Sequence, residues 1–128
     1  MLDESEAAGQ PAPFIYFLDN EPDLWNSTHR DVHPEPATYD ELRDLGIAYG
    51  EAIKAADPTA LVAGPTSWGW PGYFYSALDA EDGFGGAPDR DAHGGTEFLA
   101  WYLQEMADYE ARTGFKVLGQ HIEMTGTE

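Results

Sequence analysis

The chain holds 128 residues, with 24 acidic against 6 basic, a formal net charge of −18 and no cysteine. That length suits one small domain or part of a larger one. The charge argues against binding nucleic acid or an anionic membrane, which needs clustered Lys and Arg, and the missing thiols exclude disulfide and cysteine chemistry.

The acidity in itself fits a soluble surface, or an acidic extracellular or salt-adapted proteome, and points to neutral partners. Residues 1–13 are acidic, lack an apolar stretch and read as a polar N-terminal segment rather than a signal peptide. For a protein working outside the cell, the export signal is then expected outside this chain. No apolar run approaches the ~18 residues of a membrane span.

"FIYFL" (14–18) is continuous, aromatic and β-branched, which predicts a strand covered on both faces, as in parallel sheets. "WNSTHRDVHPEPA" (25–37) follows as a long loop. Residues 38–57 predict a helix: Thr38 caps it, Glu41 completes a capping box, and Leu42, Leu45, Tyr49, Ala52, Ile53 and Ala56 share its inward face. Asp57-Pro58 ends it. "ALVAG" (60–64) is a second strand, stopped by Gly64-Pro65. Residues 66–96 form a long loop rich in Gly, Asp and aromatics. Residues 97–113 predict a second helix with Leu99, Tyr102, Leu103 and Met106 inward and Gly114 as its end. "FKVLG" (115–119) begins a third strand.

Strand alternates with helix, which calls for an α/β fold with parallel strands and right-handed crossovers. The strand-to-helix connections are long and the helix-to-strand ones short. Long loops at the carboxyl ends of strands are where (β/α)8 barrels and open α/β sheets carry their sites. No glycine-rich nucleotide motif is present, and "GFGG" (83–86) lacks the strand-before, helix-after setting of one.

The chemistry gathers at the first strand end, where Asp19, Asn20 and Glu21 precede Pro22. A carboxyl group above apolar neighbours has its charged form disfavoured, as a general acid in glycoside cleavage requires. Asn20 is suited to a sugar hydroxyl or to holding a carboxylate. The plainer alternative is a solvated acidic turn. Trp25 follows this strand, and "TSWGWPGYFY" (66–75), with Trp68 and Trp70, follows the second. Exposed rings among small residues can stack on sugar faces; the alternative is a hydrophobic cluster under a long loop. Together with a strand-end Glu, carbohydrate binding is the better joint reading. His29 and His33 flank Asp31 in a Pro-containing loop, which favours loop-ordering hydrogen bonds over sugar contact, and either over a metal. His93 reads as a further loop residue, and "DAEDG" (79–83) as only half of a calcium loop.

"YFLDNEPDLWNSTHRDVHPEPATYDEL", "AADPTALVAGPTSWGWPGYFY" and "AHGGTEFLAWYLQEM", in that order, resemble glycoside hydrolase family 44 over roughly residues 14–118. The resemblance implies part of a (β/α)8 TIM barrel, about strands 4 to 6 with their helices, from a retaining enzyme that cleaves internal β-1,4-glucan linkages of the cellulose or xyloglucan type. It implies Glu21 as general acid/base with Asn20 beside it, Trp68 and Trp70 in the loop that lines the glucan cleft, and His29 and His33 in the long loop after strand 4; together with Trp25 these are the expected substrate-binding residues, and no metal or cofactor is expected. The substrate partner would be a β-glucan polysaccharide and the full-length protein secreted. Strands 1–3, strands 7 and 8 and the nucleophile glutamate have no counterpart here. Residues 119–128 depart from the family as a divergent tail, in which His121 and Glu123 are assigned no role. The sequence therefore predicts a chain that is inactive alone, as from a truncated or misread gene. The rivals are a non-catalytic carbohydrate-binding fragment and an inactive remnant.

Overall fold

The computed structural model describes residues 15–18, 21–81, 83, 85–118 and 124–125. Strand β1 (Ile15–Phe17) pairs in parallel with β2 (Leu61–Ala63), in the register Ile15 to Leu61 and Phe17 to Ala63. The Leu18 N–H carries the ladder on to the Ala63 carbonyl at 2.8 Å. A 3-10 turn, Pro22–Leu24, follows, then a single helical turn, α1 (Trp25–Thr28). Two parallel strands need a long crossover, and the long helix α2 (Tyr39–Ala56) supplies it. The predicted strand–helix–strand order therefore stands.

The segment 66–96 is not the open loop its composition predicts. It folds into strand β3 (Thr66–Ser67), a 3-10 turn over Trp70–Tyr73, and helices α3 (Ala77–Glu81) and α4 (Pro88–Ala92). Two buried carboxylates organise it. Asp79 accepts the N–H groups of Asp89 (2.8 Å) and Arg90 (3.1 Å), satisfying the start of α4, and Asp89 accepts the Tyr39 N–H at 2.9 Å, satisfying the start of α2. Asp79, the first residue of the supposed half calcium loop, thus serves as a helix cap, since free N–H groups at helix starts need such acceptors, while Asp82 lies outside the described residues.

Helix α5 (Phe98–Thr113) ends as predicted at Gly114, whose φ of 77° is the left-handed conformation glycine adopts freely. It buries Phe98, Tyr102 and Met106, with Leu103 packed against that core. On α2, Thr38 does cap, accepting the Glu41 N–H at 3.2 Å. The capping box is not completed, because the Glu41 carboxylate turns to His33 instead. The inward face of α2 also differs. Leu42, Gly46 and Gly50 are buried, whereas Tyr49, Ala52 and Ala56 are exposed. A Cβ at Gly46 would overlap the Tyr102 hydroxyl, and one at Gly50 would stand 2.6 Å from Val117 Cγ1. Close approach of α5 and of residues 115–118, rather than side-chain bulk, sets that face.

Residues 115–118 are not a strand among the described residues. Val117 and Leu118 are buried by packing on the helices. The further parallel pairing lies beyond them, between β3 and β4 (Met124–Thr125), within the stretch the sequence sets apart as a tail. Phe17 is 53% exposed, so β1 is not covered on both faces among the described residues.

Candidate functional site

The site is built at the carboxyl ends of β1 and β2. β1 delivers the chain to Glu21, a half-buried residue held at φ 50° and ψ 55°, the left-handed region that a non-glycine residue enters at a cost. Two backbone bonds hold it there. Its N–H donates to the Thr66 carbonyl at 3.1 Å, and its own carbonyl accepts the Leu24 N–H at 2.9 Å. Pro22 has no N–H to leave unsatisfied and is suited to start the 3-10 turn. Asn20, the expected neighbour, and Asp19 lie outside the described residues.

Asp23, in the same turn, escaped the sequence reading. Its Oδ1 accepts the Trp68 N–H at 3.1 Å, and its Oδ2 receives the Ser67 hydroxyl at 3.3 Å. Its only local signal is an acidic residue in the first turn after a proline. The partners lie 44 and 45 residues away, beyond any periodic pattern. Through this carboxylate and the bond from Glu21 to Thr66, the structure joins the turn carrying Glu21 to the loop carrying Trp68 and Trp70. Trp68 is 47% and Trp70 68% exposed, with Trp70 resting edge-on against Tyr73 (5.5 Å) and Phe74 (5.3 Å). A cleft of about 210 Å³ opens beside Trp68, bounded by Asp23, Trp68, Pro71 and Tyr75.

Trp25 and the histidines form a second group. Trp25 is half-buried against the core and meets His33 edge-on at 5.2 Å. His33 Nε2 donates to Glu41 Oε1 at 2.5 Å, and that carboxylate raises the affinity of the ring for its proton. His33 therefore ties the loop 29–37 to the first turn of α2. The His29 side chain is exposed, while its carbonyl accepts the Val32 and His33 N–H groups and closes the turn after α1. No group of three metal-binding side chains occurs among the described residues.

His93 has a larger structural part than a loop position predicts. Its Nδ1 faces the Asp89 carbonyl at 2.7 Å, its Nε2 faces Asp40 Oδ1 at 3.0 Å, and its ring stacks on Tyr39 at 4.7 Å. Both ring nitrogens face acceptors, which only the imidazolium can satisfy. Burial opposes the charge, but the Asp89 carbonyl and Asp40 carboxylate outweigh it and the pKa is raised.

Comparison with known proteins identifies the family of the chain. The profile of glycoside hydrolase family 44 matches residues 3–121. A β-mannanase/endoglucanase A of Caldicellulosiruptor saccharolyticus is 40% identical over 105 residues, 80% of this chain and 7% of that protein. Endoglucanase A of Paenibacillus lautus is 35% identical over 80% of this chain and 14% of its own. Among solved structures, a bifunctional glucanase-xylanase from a metagenome library matches with TM-score 0.78 and 46% identity, over 88% of this chain and 22% of its own. A Paenibacillus polymyxa xyloglucanase with xyloglucan matches with TM-score 0.68 and 36% identity, over 81% and 19%. The chain thus spans a small part of the length of the relatives it matches. On the extent of the profile match, the chain belongs to glycoside hydrolase family 44.

Proposed function

We propose that this chain is the acid/base-bearing part of a retaining glycoside hydrolase acting on internal β-1,4-glucan linkages, with Glu21 as the general acid/base. The observation that carries the reading is the left-handed backbone of Glu21 at the carboxyl end of a parallel strand. Strained non-glycine residues cluster at functional sites, where the strain aims a side chain. The names of the relatives, endoglucanase, glucanase-xylanase and xyloglucanase, favour a β-glucan substrate. In the first step Glu21 protonates the leaving oxygen while a nucleophilic carboxylate attacks the anomeric carbon. In the second it takes a proton from the water that releases the sugar. That nucleophile should lie about 5–5.5 Å away, and no residue of this chain is assigned to it.

The same reading makes residues 14–118 a partial (β/α)8 domain, about strands 4 to 6, flanked by the segments 1–13 and 119–128. It makes Asn20, Trp25, Trp68, Trp70, His29 and His33 substrate-side residues, and the full protein an exported one. His33 and Trp25 would act by ordering the loop and Trp68 and Trp70 by stacking. The exposure of Trp70 also suits a second reading, carbohydrate binding without catalysis.

The test is Glu21→Gln with residues 14–118 restored in a complete (β/α)8 barrel. Hydrolysis of unactivated xyloglucan should fall by about 100-fold or more, and hydrolysis of an aryl glycoside with a very good leaving group by less in the glycosylation step, which no longer needs the acid. Turnover near wild type on xyloglucan would refute the assignment.

A further inference from the structure

We infer that Asp23 is a positioning residue for the proposed reaction, one that locks the loop bearing Trp68 to the turn bearing Glu21; this rests on the function proposed above. Asp23 stands two residues after Glu21, and both of its oxygens are taken. Oδ1 accepts the Trp68 N–H at 3.1 Å, and Oδ2 receives Ser67 Oγ at 3.3 Å. The Ser67 hydroxyl also faces the Gly69 carbonyl at 3.1 Å, so one small knot of bonds holds three consecutive residues of the loop. Gly72 seals it. A Cβ there would overlap Ser67 Oγ and stand 3.1 Å from Asp23 Oδ2. The half-exposed Trp68 ring springs from the peptide that Asp23 holds, and it borders the adjoining cleft.

A carboxylate whose oxygens both serve backbone and hydroxyl donors is fixing geometry rather than moving protons. The two roles separate by chemistry. In Asp23→Asn the amide oxygen can still accept the Trp68 N–H, and the amide nitrogen can donate to Ser67 Oγ, whose proton then serves the Gly69 carbonyl. Asn therefore keeps the lock and loses the charge, whereas Ala loses both. A displacement of about 1 Å in a substrate-positioning element can cost on the order of 100-fold in rate.

The experiment measures xyloglucan hydrolysis and Trp68 amide hydrogen exchange with residues 14–118 restored in a complete (β/α)8 barrel, for wild type, Asp23→Ala, Asp23→Asn and Ser67→Ala. Asp23→Ala should lower kcat/KM by roughly 10- to 100-fold, with KM rising more than kcat falls, and should speed Trp68 amide exchange about 10-fold. Asp23→Asn should bring kcat/KM back to within about 3-fold of wild type with the pH profile unchanged. Ser67→Ala, which removes one of the two bonds, should fall between them and supplies the answer if Asp23→Ala does not fold. An Asn variant as impaired as the Ala variant, or one that loses a limb of the pH profile, would overturn the inference by making Asp23 a proton-transfer group. So would an active protein in which Asp23→Ala and Ser67→Ala both leave KM and Trp68 exchange unchanged. A wild-type chain without turnover on any β-glucan would instead overturn the proposed reaction, and this role with it.

Discussion

Glu21 at φ 50° is held in a backbone region that costs an L-residue about 1–2 kcal/mol. Glycine enters that region freely. Glu21→Gly should therefore raise stability by about 1 kcal/mol while lowering hydrolysis of unactivated xyloglucan by about 100-fold or more, and Glu21→Gln should lower it likewise with no such gain. Thermal melts beside xyloglucan assays check both. The position of Glu21 at a strand end was legible, because an apolar run followed by Asn-Glu-Pro marks where a ladder stops. Its strain was not, since that depends on a bond to Thr66, 45 residues on. Trp68 and Trp70 make a second test. Their exposure predicts that Ala at either weakens oligosaccharide binding and barely moves the melting temperature. A loss of about 3–5 kcal/mol without weaker binding would return them to the core.

Helices α2 and α5 meet where side chains are absent. Gly→Ala inside a helix normally gains up to about 1 kcal/mol. At Gly46 the added methyl would meet the Tyr102 hydroxyl and push on Met106, so Gly46→Ala should destabilise by about 1–3 kcal/mol. Denaturant melts give the sign. The helices themselves were legible from apolar spacing and caps, but apolar periodicity favours large residues and so did not show that Gly46 and Gly50 share the buried face of α2 with Tyr39 and Leu42. The first turn of α2 is also a charge junction. Asp40 faces His93 at 3.0 Å and Arg43 at 3.5 Å, Glu41 faces His33, and Asp89 Oδ1 lies 3.3 Å from His93. The other faces of the His93 ring meet Tyr39 and Trp101, and Arg43 lies over Trp101 at 5.4 Å.

Both histidine pKa values are raised above the 6.5 of an unfolded chain. Their stabilisation is therefore fully present below about pH 6.5 and is lost as pH rises through the raised folded values. Melting temperature followed from about pH 5 to 9 should lose this contribution only above about pH 6.5 in low salt, and His93→Gln should flatten part of the fall.

At the scale of the molecule, strand–helix alternation was enough to read an α/β fold with parallel strands. Lost to the reading were the short helices of 66–96, because the carboxylate that caps α4, Asp79, acts from a different helix ten residues back, and the β3–β4 pairing, because two-residue strands carry no period. The described sheet consists of two-stranded pieces, and Phe17, Val32 and Tyr49 remain more than half exposed. Open strand edges and uncovered apolar side chains favour association, and a net charge of −18 opposes compaction. Residues 1–128 purified alone should give no turnover on xyloglucan or carboxymethylcellulose and no sharp cooperative melt. A monomer with clear turnover would contradict this.

The most direct test of Glu21 as acid/base is the stereochemistry of azide rescue. In the complete (β/α)8 barrel carrying Glu21→Ala, with an activated aryl β-glycoside and added azide, the enzyme nucleophile first displaces the phenolate. Azide then displaces the nucleophile from the opposite face, giving the β-glycosyl azide with faster turnover. Proton NMR of the product reads the anomeric configuration. A β-glycosyl azide is the result expected here. An α-glycosyl azide would make Glu21 the nucleophile, and turnover indifferent to azide with hydrolysis near wild type would remove it from the chemistry altogether.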